Sequence, residues 1–463
     1  MSPRRALAAA AAAATIALAP LGAAASSDPL VGLLAADGGA GAGLALSVQR
    51  SPYVDGGVRN DLVPLYLYEN GHLYLHAYRV GFKFDRENDG FDVFLTHRFE
   101  GFPSDRIPSS LTGMADRGPG MDAGVGYERR FRWGTLYGEA LRDVSHTSGG
   151  NEVRLGYTYD WLRGRLHLRP YLTVSLRSAR LNDYYYGVRP GEATPARPAY
   201  EAGAGFNNEI GLYGSYRLTE RWRLIAGTSA TRLSSEIRDS PIVRDRMAIT
   251  AMAGAVYDFS PQHGESGPES RPESKPLIIK LLYGKSTDCN LMPIMGLSCT
   301  STSTIDQTRV YGIEIGRPFV RHLNGWPLDF VGYFGLLRHD ERGLQPDSWQ
   351  FNAYVKAYWY GFPWDGRVHT RLGFGTGLSY AQRIPYVEAR DQARRSRGTS
   401  RLLNYLDPSI DVSLGDIFGV RSMHETYFGF GVTHRSGIFG SSQLFGNVDG
   451  GSNYIYTYIE TQL

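Results

Sequence analysis

Between His72 and Phe84 the sequence runs HLYLHAYRVGFKF, and its period is two. His72, Tyr74, His76, Tyr78, Val80, Phe82 and Phe84 share one parity; Arg79, Gly81 and Lys83 share the other. Successive side chains of a strand point to opposite faces, so one strand here has an apolar-aromatic face and a mixed, partly charged one. The preceding Glu69-Asn70-Gly71-His72 reads as a hairpin turn. The alternation returns over 121–131, 135–144, 152–161, 165–175, 205–218, 222–234 and 247–259. Short turns such as Leu162-Arg163-Gly164 alternate with longer polar loops. That asymmetry is the pattern of a transmembrane barrel, with short turns on one side and long loops on the other.

Beyond residue 26 there is no run of about 20 apolar residues, so no membrane-spanning helix is expected. The mean hydropathy of −0.29 fits a barrel, because only alternate residues meet lipid. The 56 Gly, 30 Tyr and 20 Phe fit strands and interfacial aromatic girdles better than helices. Arg4 and Arg5, the apolar stretch 6–21 and Ala23-Ala24-Ala25 read as a secretory signal peptide over 1–25. Without it the formal charge falls from +3 to +1, which gives no electrostatic basis for binding nucleic acid. Cys289 and Cys299 are expected to pair in an oxidising compartment. Two cysteines with no nearby His fall short of a zinc set, and no cofactor is expected.

The stretch 260–276, SPQHGESGPESRPESKP, breaks the pattern and reads as a linker. The strand before it ends in Tyr257-Asp258-Phe259, a terminal aromatic like those that close outer-membrane barrels. Strands resume over 277–283, 309–315, 329–337, 349–359, 368–380, 409–414, 425–434 and 454–463. The expected fold is all-β: two transmembrane antiparallel β-barrels in tandem, of 10–12 strands over 26–259 and about eight over 277–463.

Ser51-Pro52-Tyr53, the strand around Tyr68–Gly81, residues 113–117 (GMADR), 183–188 (DYYYGV) and 239–243 (DSPIV) stand in the order of the MipA/OmpV family. Residues 40–259 resemble that family. The resemblance implies an outer-membrane barrel and, as partners, murein-processing enzymes held on a scaffold; other members are porin-like. Turn chemistry is the plainer reading of Gly187 and Pro241.

In the second half, FGFGVTHRSG (428–437) places Phe428, Phe430, Val432, His434 and Ser436 on one face, expected to meet lipid. A serine hydroxyl becomes a nucleophile only when a base takes its proton, and the base needs a third group to orient it. The segment resembles the His-x-Ser motif of PagL-type lipid A deacylases. Residues 314–318, 379–380, 383–386, 399–405 and 450–454 look like acyloxyacyl hydrolases. The resemblance implies a carboxylic ester hydrolase acting on lipid A of lipopolysaccharide, with Ser436 as nucleophile, His434 as base and Asn453 as orienter. Two departures stand out: Gly437 replaces the family's Asn, and Asn453 replaces its Glu. Glu460 has the opposite parity and should point inward; Leu463, Thr461, Ile459, Thr457 and Ile455 should face lipid. Arg383, Arg401 and Arg435 are candidates for meeting lipid A phosphates. The reading is an outer-membrane lipid A hydrolase fused to a MipA/OmpV-like barrel; the alternative is a non-enzymatic scaffold or porin-like protein.

Overall fold

A computed structural model describes residues 28–35, 40–70, 72–102, 107–259, 276–438, 440–446 and 448–463. The signal-peptide reading and most of the linker lie outside them. The first barrel is built from β1 (Ala40–Arg50), β2 (Val58–Asn70), β3 (Leu73–His76), β4 (Arg79–Arg86), β5 (Asp89–Arg98), β6 (Gly120–Phe131), β7 (Gly134–Asp143), β8 (Asn151–Thr158), β9 (Trp161–Arg163), β10 (Leu166–Arg177), β11 (Gly205–Arg217), β12 (Trp222–Arg232) and β13 (Met247–Asp258). Apart from β8 and β9, each strand pairs with its sequence neighbours, and β1 closes on β13. β8 and β9 are two pieces of one wall position, both paired with β10, so the ring has 12 strands.

The second barrel is closed by β14 (Ile278–Ser286), β15 (Arg309–Val320), β16 (Leu328–Asp340), β17 (Ser348–Trp359), β18 (Thr370–Ala381), β19 (Leu402–Ser413), β20 (Thr426–Ser436) and β21 (Asn453–Gln462). The tandem all-β architecture is therefore the expected one. No helix among the described residues is long and apolar enough to cross a membrane. Strands of 10–12 residues, tilted by about 40°, span roughly 25–30 Å, enough for a hydrocarbon core.

Alternation sorts the side chains in the sense a membrane demands. In β10, Leu172, Val174 and Leu176 point out and are exposed, while Arg169, Tyr171 and Thr173 are buried inside. In β21, Ile459 is exposed whereas Tyr454, Tyr456, Tyr458 and Glu460 fill the lumen, as parity requires.

Both lumens carry buried ion pairs and aromatic side chains. In the first, Arg79 meets Glu139 at 2.7 Å, and Arg98 bridges Asp122 and Glu152 at 2.6 and 2.7 Å. A short helix, Pro29–Ala35, sits inside this barrel. Its Leu30 and Leu34 pack on Val63, Leu65, Leu67, Ile225 and Val256, and Val31 on Tyr74, Phe94 and Leu141. Asp28 starts the helix by accepting from the backbone N–H of Leu30 and Val31. In the second lumen, Asp407 lies 3.2 Å from Lys280 and 2.7 Å from Lys356, and Arg371 joins Asp411 and Glu460, each at 2.8 Å.

Four of the five segments carrying the MipA/OmpV resemblance, all but the wall strands around Tyr68–Gly81, converge on the long-loop end of the first barrel. Tyr53, Met114, Tyr185, Tyr186, Val188 and Ile242 belong to one buried cluster there. Tyr53 donates to Tyr185 O at 3.0 Å, Ser240 to Tyr186 O at 2.6 Å, and Arg117 holds Glu192 at 2.6 Å. These motifs thus build a cap with its own small core. Burial alone would raise the Glu192 carboxyl. Hydrogen bonds from Arg117 and from the backbone N–H of Ala115 and Arg189 outweigh it and hold the group at about 2.

One expected strand is overturned. Residues 72–84 are not continuous: β3 ends at His76, the chain turns at Ala77-Tyr78, and β4 returns from Arg79. Ala77 takes a left-handed conformation, φ 53°, which permits the turn. The turn also switches parity. Tyr74 and His76 face inward, but beyond it Arg79 and Lys83 do, and Phe82 and Phe84 are exposed. β19 is also longer than its expected 409–414, starting at Leu402. Pro408 lacks an N–H, and the β19–β20 ladder skips from Leu406 to Ser409.

Candidate functional site

β20 and β21 bring His434 and Asn453 opposite each other in register. His434 Nδ1 lies 2.6 Å from Asn453 Oδ1, and Asn453 Nδ2 donates to Cys289 O at 2.9 Å. The carbonyl therefore fixes the amide, and the amide fixes the imidazole. Ser436 has the parity of His434, but its Oγ accepts from the backbone N–H of Ile438 at 3.2 Å. Among the described residues no hydrogen bond joins Ser436 to His434.

The face is only partly open to lipid. Phe428 is exposed, but Val432 is buried with Ile455 beneath Cys289 and Ile294 of the β14–β15 loop. Cys289 and Cys299 are bonded, with Cα atoms 5.8 Å apart, and so tie this loop over the pair. The loop roofs the stripe that sequence parity assigned wholly to lipid.

Gly437 has a steric reason. A Cβ there would lie 1.8 Å from Val448 O, so the Asn of the resembling family does not fit this backbone. Its N–H already donates to Gly450 O at 3.2 Å and is not free for a developing oxyanion.

Arg435 corrects an expectation. It sits between His434 and Ser436, so strand parity sends it inward, where it is 1% exposed. Its Nε donates to Glu388 at 2.9 Å, and its other nitrogens reach Ser379 and the carbonyls of Ser400 and Arg401. It cannot meet a lipid phosphate. Arg383 and Arg401 are exposed. Glu388, from the helix Tyr386–Arg394, also accepts from Ser452 Oγ at 3.2 Å. One buried carboxylate thus clamps β20 and β21 from behind the His434–Asn453 pair.

Sequence reasoning missed a second site. Below its cap, the first barrel holds a chamber of about 310 Å³ lined by tyrosines and paired charges, among them Tyr53, Tyr137, Tyr171, Arg98, Arg177 and Glu139. The signal was present as charges on the inward parity of strands such as β7 and β10.

At the opposite end, the turns are short. Arg132, Arg163, Arg165 and Arg217 are exposed there, beside Trp133 and Trp222. Among the described residues no group of three or more His, Cys, Asp or Glu could hold a metal ion.

Residues 41–259, the whole strand ring of the first barrel, match the family model described as MltA-interacting protein MipA. Outer membrane protein Omp26La of Vibrio anguillarum is 30% identical over 151 residues, 33% of this chain and 59% of that protein. Putative outer membrane protein YiaT of Escherichia coli K12 is 28% identical over 223 residues, 47% of this chain and 89% of that one. The MltA-interacting protein of the same strain is 26% identical over 233 residues, 49% and 93%. The chain thus spans 59% of the length of the first of these relatives, and the family model stops short of the second barrel. Together with the barrel architecture these matches make the chain a Gram-negative outer-membrane protein whose first barrel is similar to the MipA/OmpV proteins.

Proposed function

We propose that the protein is a non-enzymatic outer-membrane platform for murein-processing enzymes. The observation that carries this reading is the match to a protein named for its interaction with MltA, over 93% of that protein's length. The first barrel suits the role. Its lumen is filled by a helix and ion pairs, which disfavours a porin. Its short turns present Arg132, Arg163, Arg165 and Arg217 beside tryptophans, a surface chemistry suited to protein contacts. Replacing those four arginines with Ala should abolish co-purification of a murein hydrolase while the barrel still inserts. Undiminished co-purification would move the contact elsewhere.

A second reading rests on one observation: His434 and Asn453 meet at 2.6 Å, with Ser436 on the same face. Ser436 Oγ accepts from Ile438 N–H, and the serine side chain would have to come within hydrogen-bond reach of His434 before the imidazole could take its proton. In this reading the second barrel is a lipid A acyl-ester hydrolase. Mass spectrometry of lipid A from cells expressing wild type and Ser436→Ala decides it. Loss of an acyl chain with wild type alone would support hydrolysis; identical lipid A would remove it.

A further inference from the structure

The early turn at Ala77-Tyr78 leaves a notch in the wall of the first barrel. β2 pairs with β1 along almost its whole length but with β3 only from Leu67 to Asn70. On the far side, the β4–β5 ladder ends at Arg79 and Thr96, followed by one bond from His97 N–H to Tyr78 O at 3.1 Å. Residues 58–65 of β2 therefore have no first-barrel strand on that edge. An unpaired edge is a template for another segment.

The second barrel supplies it. Residues 440–446, from the β20–β21 loop, lie along this edge. Leu62 N–H donates to Ser441 O at 2.8 Å, and Gln443 N–H donates to Asp61 Oδ1 at 2.7 Å. The His97 ring meets the backbone of Gln443 from the other side of the notch. Lower down, Tyr66 OH donates to Asn404 Oδ1 at 2.6 Å and lies 2.9 Å from Thr376 Oγ1. The seam is apolar: Leu444 and Phe445 are buried with Leu403, against Phe99, Leu378 and Leu402. Behind it lies the polar chamber, whose lining includes Tyr78, Thr96, His97 and Phe99 on the notch itself. His97 Nε2 is buried and has no hydrogen-bond partner among the described residues.

We infer that the notch is a side entrance from the outer leaflet into the first barrel's chamber, with residues 440–446 of the second barrel as its door. The ligand class follows from the two surfaces that meet there. It is an amphiphile whose compact head both donates and accepts hydrogen bonds in the chamber, and whose hydrocarbon chain lies along the seam. The notch is in the half of the wall nearer the long loops, which is the outer-leaflet half of such barrels. The inference needs neither the platform nor the hydrolase reading.

The test uses the full chain in phosphatidylcholine vesicles, with Cys289→Ser and Cys299→Ser to clear the background. Ser175→Cys, on the chamber wall, is the reporter; Leu62→Cys with Ser441→Cys is the lock. Reporter labelling by N-dodecylmaleimide, which partitions into the bilayer, is compared with labelling by a small polar maleimide, before and after the lock is oxidised. Locking should slow the dodecyl reagent by roughly tenfold or more, since its local concentration at the entrance is lost. The polar reagent, entering from the loop end, should be unaffected. Equal dodecyl labelling in both states overturns the proposal. So does failure of the lock to form in protein that still migrates as a folded barrel on unheated gels, because door and edge would then not be neighbours.

Discussion

Lys280→Ala is the sharpest probe of what holds the second barrel. Lys280 Nζ is fully enclosed, 2.9 Å from Glu314 and 3.2 Å from Asp407, and also donates to Tyr354 and Tyr456. Removing one partner of a buried pair costs about 3–5 kcal/mol, because the other charge is left without its counter-ion. The lower end applies here. Asp407 keeps Lys356 at 2.7 Å, and Glu314 keeps the Tyr354 hydroxyl at 2.6 Å. A loss of about 3 kcal/mol is a factor on the order of 10² in the folding equilibrium. At a urea dependence of about 2–3 kcal/mol per molar, the midpoint should fall by roughly 1–1.5 M. The assay is urea unfolding in lipid vesicles, followed by the mobility shift of unheated samples. Lys280→Met with Glu314→Gln removes both charges and should recover most of the loss. A single variant that costs less than about 1 kcal/mol, or a double variant no better than the single, would refute the claim that the lumen is held by this network.

Three further outcomes follow from the same geometry. The Glu192 carboxyl is held down at about 2, below its ordinary value near about 4.3, so its contribution to the cap is complete above the ordinary range and is lost as pH falls through about 2. Hydrogen exchange over residues 109–119 and 186–200 should therefore stay slow at pH values well below 4 in the wild type; in Arg117→Ala it should be fast even at neutral pH. Gly437→Asn, which restores the resembling family's residue, should displace the loop, because its Cβ would meet Val448 O, and cost about 1–3 kcal/mol; a fully stable variant on urea titration would contradict the steric reading. Purified protein in planar bilayers should show no steady porin-like conductance, because the helix Pro29–Ala35 plugs the first lumen below its chamber and side chains fill the second; an open channel would mean that this helix leaves the lumen.

Much of this fold was legible in the sequence because a barrel writes its lipid face on every second residue. The count of eight for the second barrel and the inward Glu460 both follow from parity. The turn at Ala77-Tyr78 was not legible. An apolar alternation reads the same through a turn of two ordinary residues, and Ala is not a residue that announces a left-handed backbone. That one turn creates the notch, so the contact between the barrels was invisible as well. At the candidate site, strand pairing makes the His434–Asn453 meeting readable from registers counted back from the C-terminus. Two things depended on the loops instead: the roof built by the Cys289–Cys299 loop and the hydrogen bond that turns Ser436 towards Ile438. Arg435 shows the opposite failing, since the parity that put His434 outside already required it to point in.

Whether the protein serves as a platform rather than a catalyst is tested most directly by binding. The full chain in nanodiscs, titrated with a purified MltA-type murein hydrolase, should give saturable binding at the short-turn end, and the quadruple arginine variant should lose it. Absence of binding to well-folded protein, together with fatty acid release from lipid A that disappears in Ser436→Ala, would contradict the platform reading and establish the second barrel as the working part.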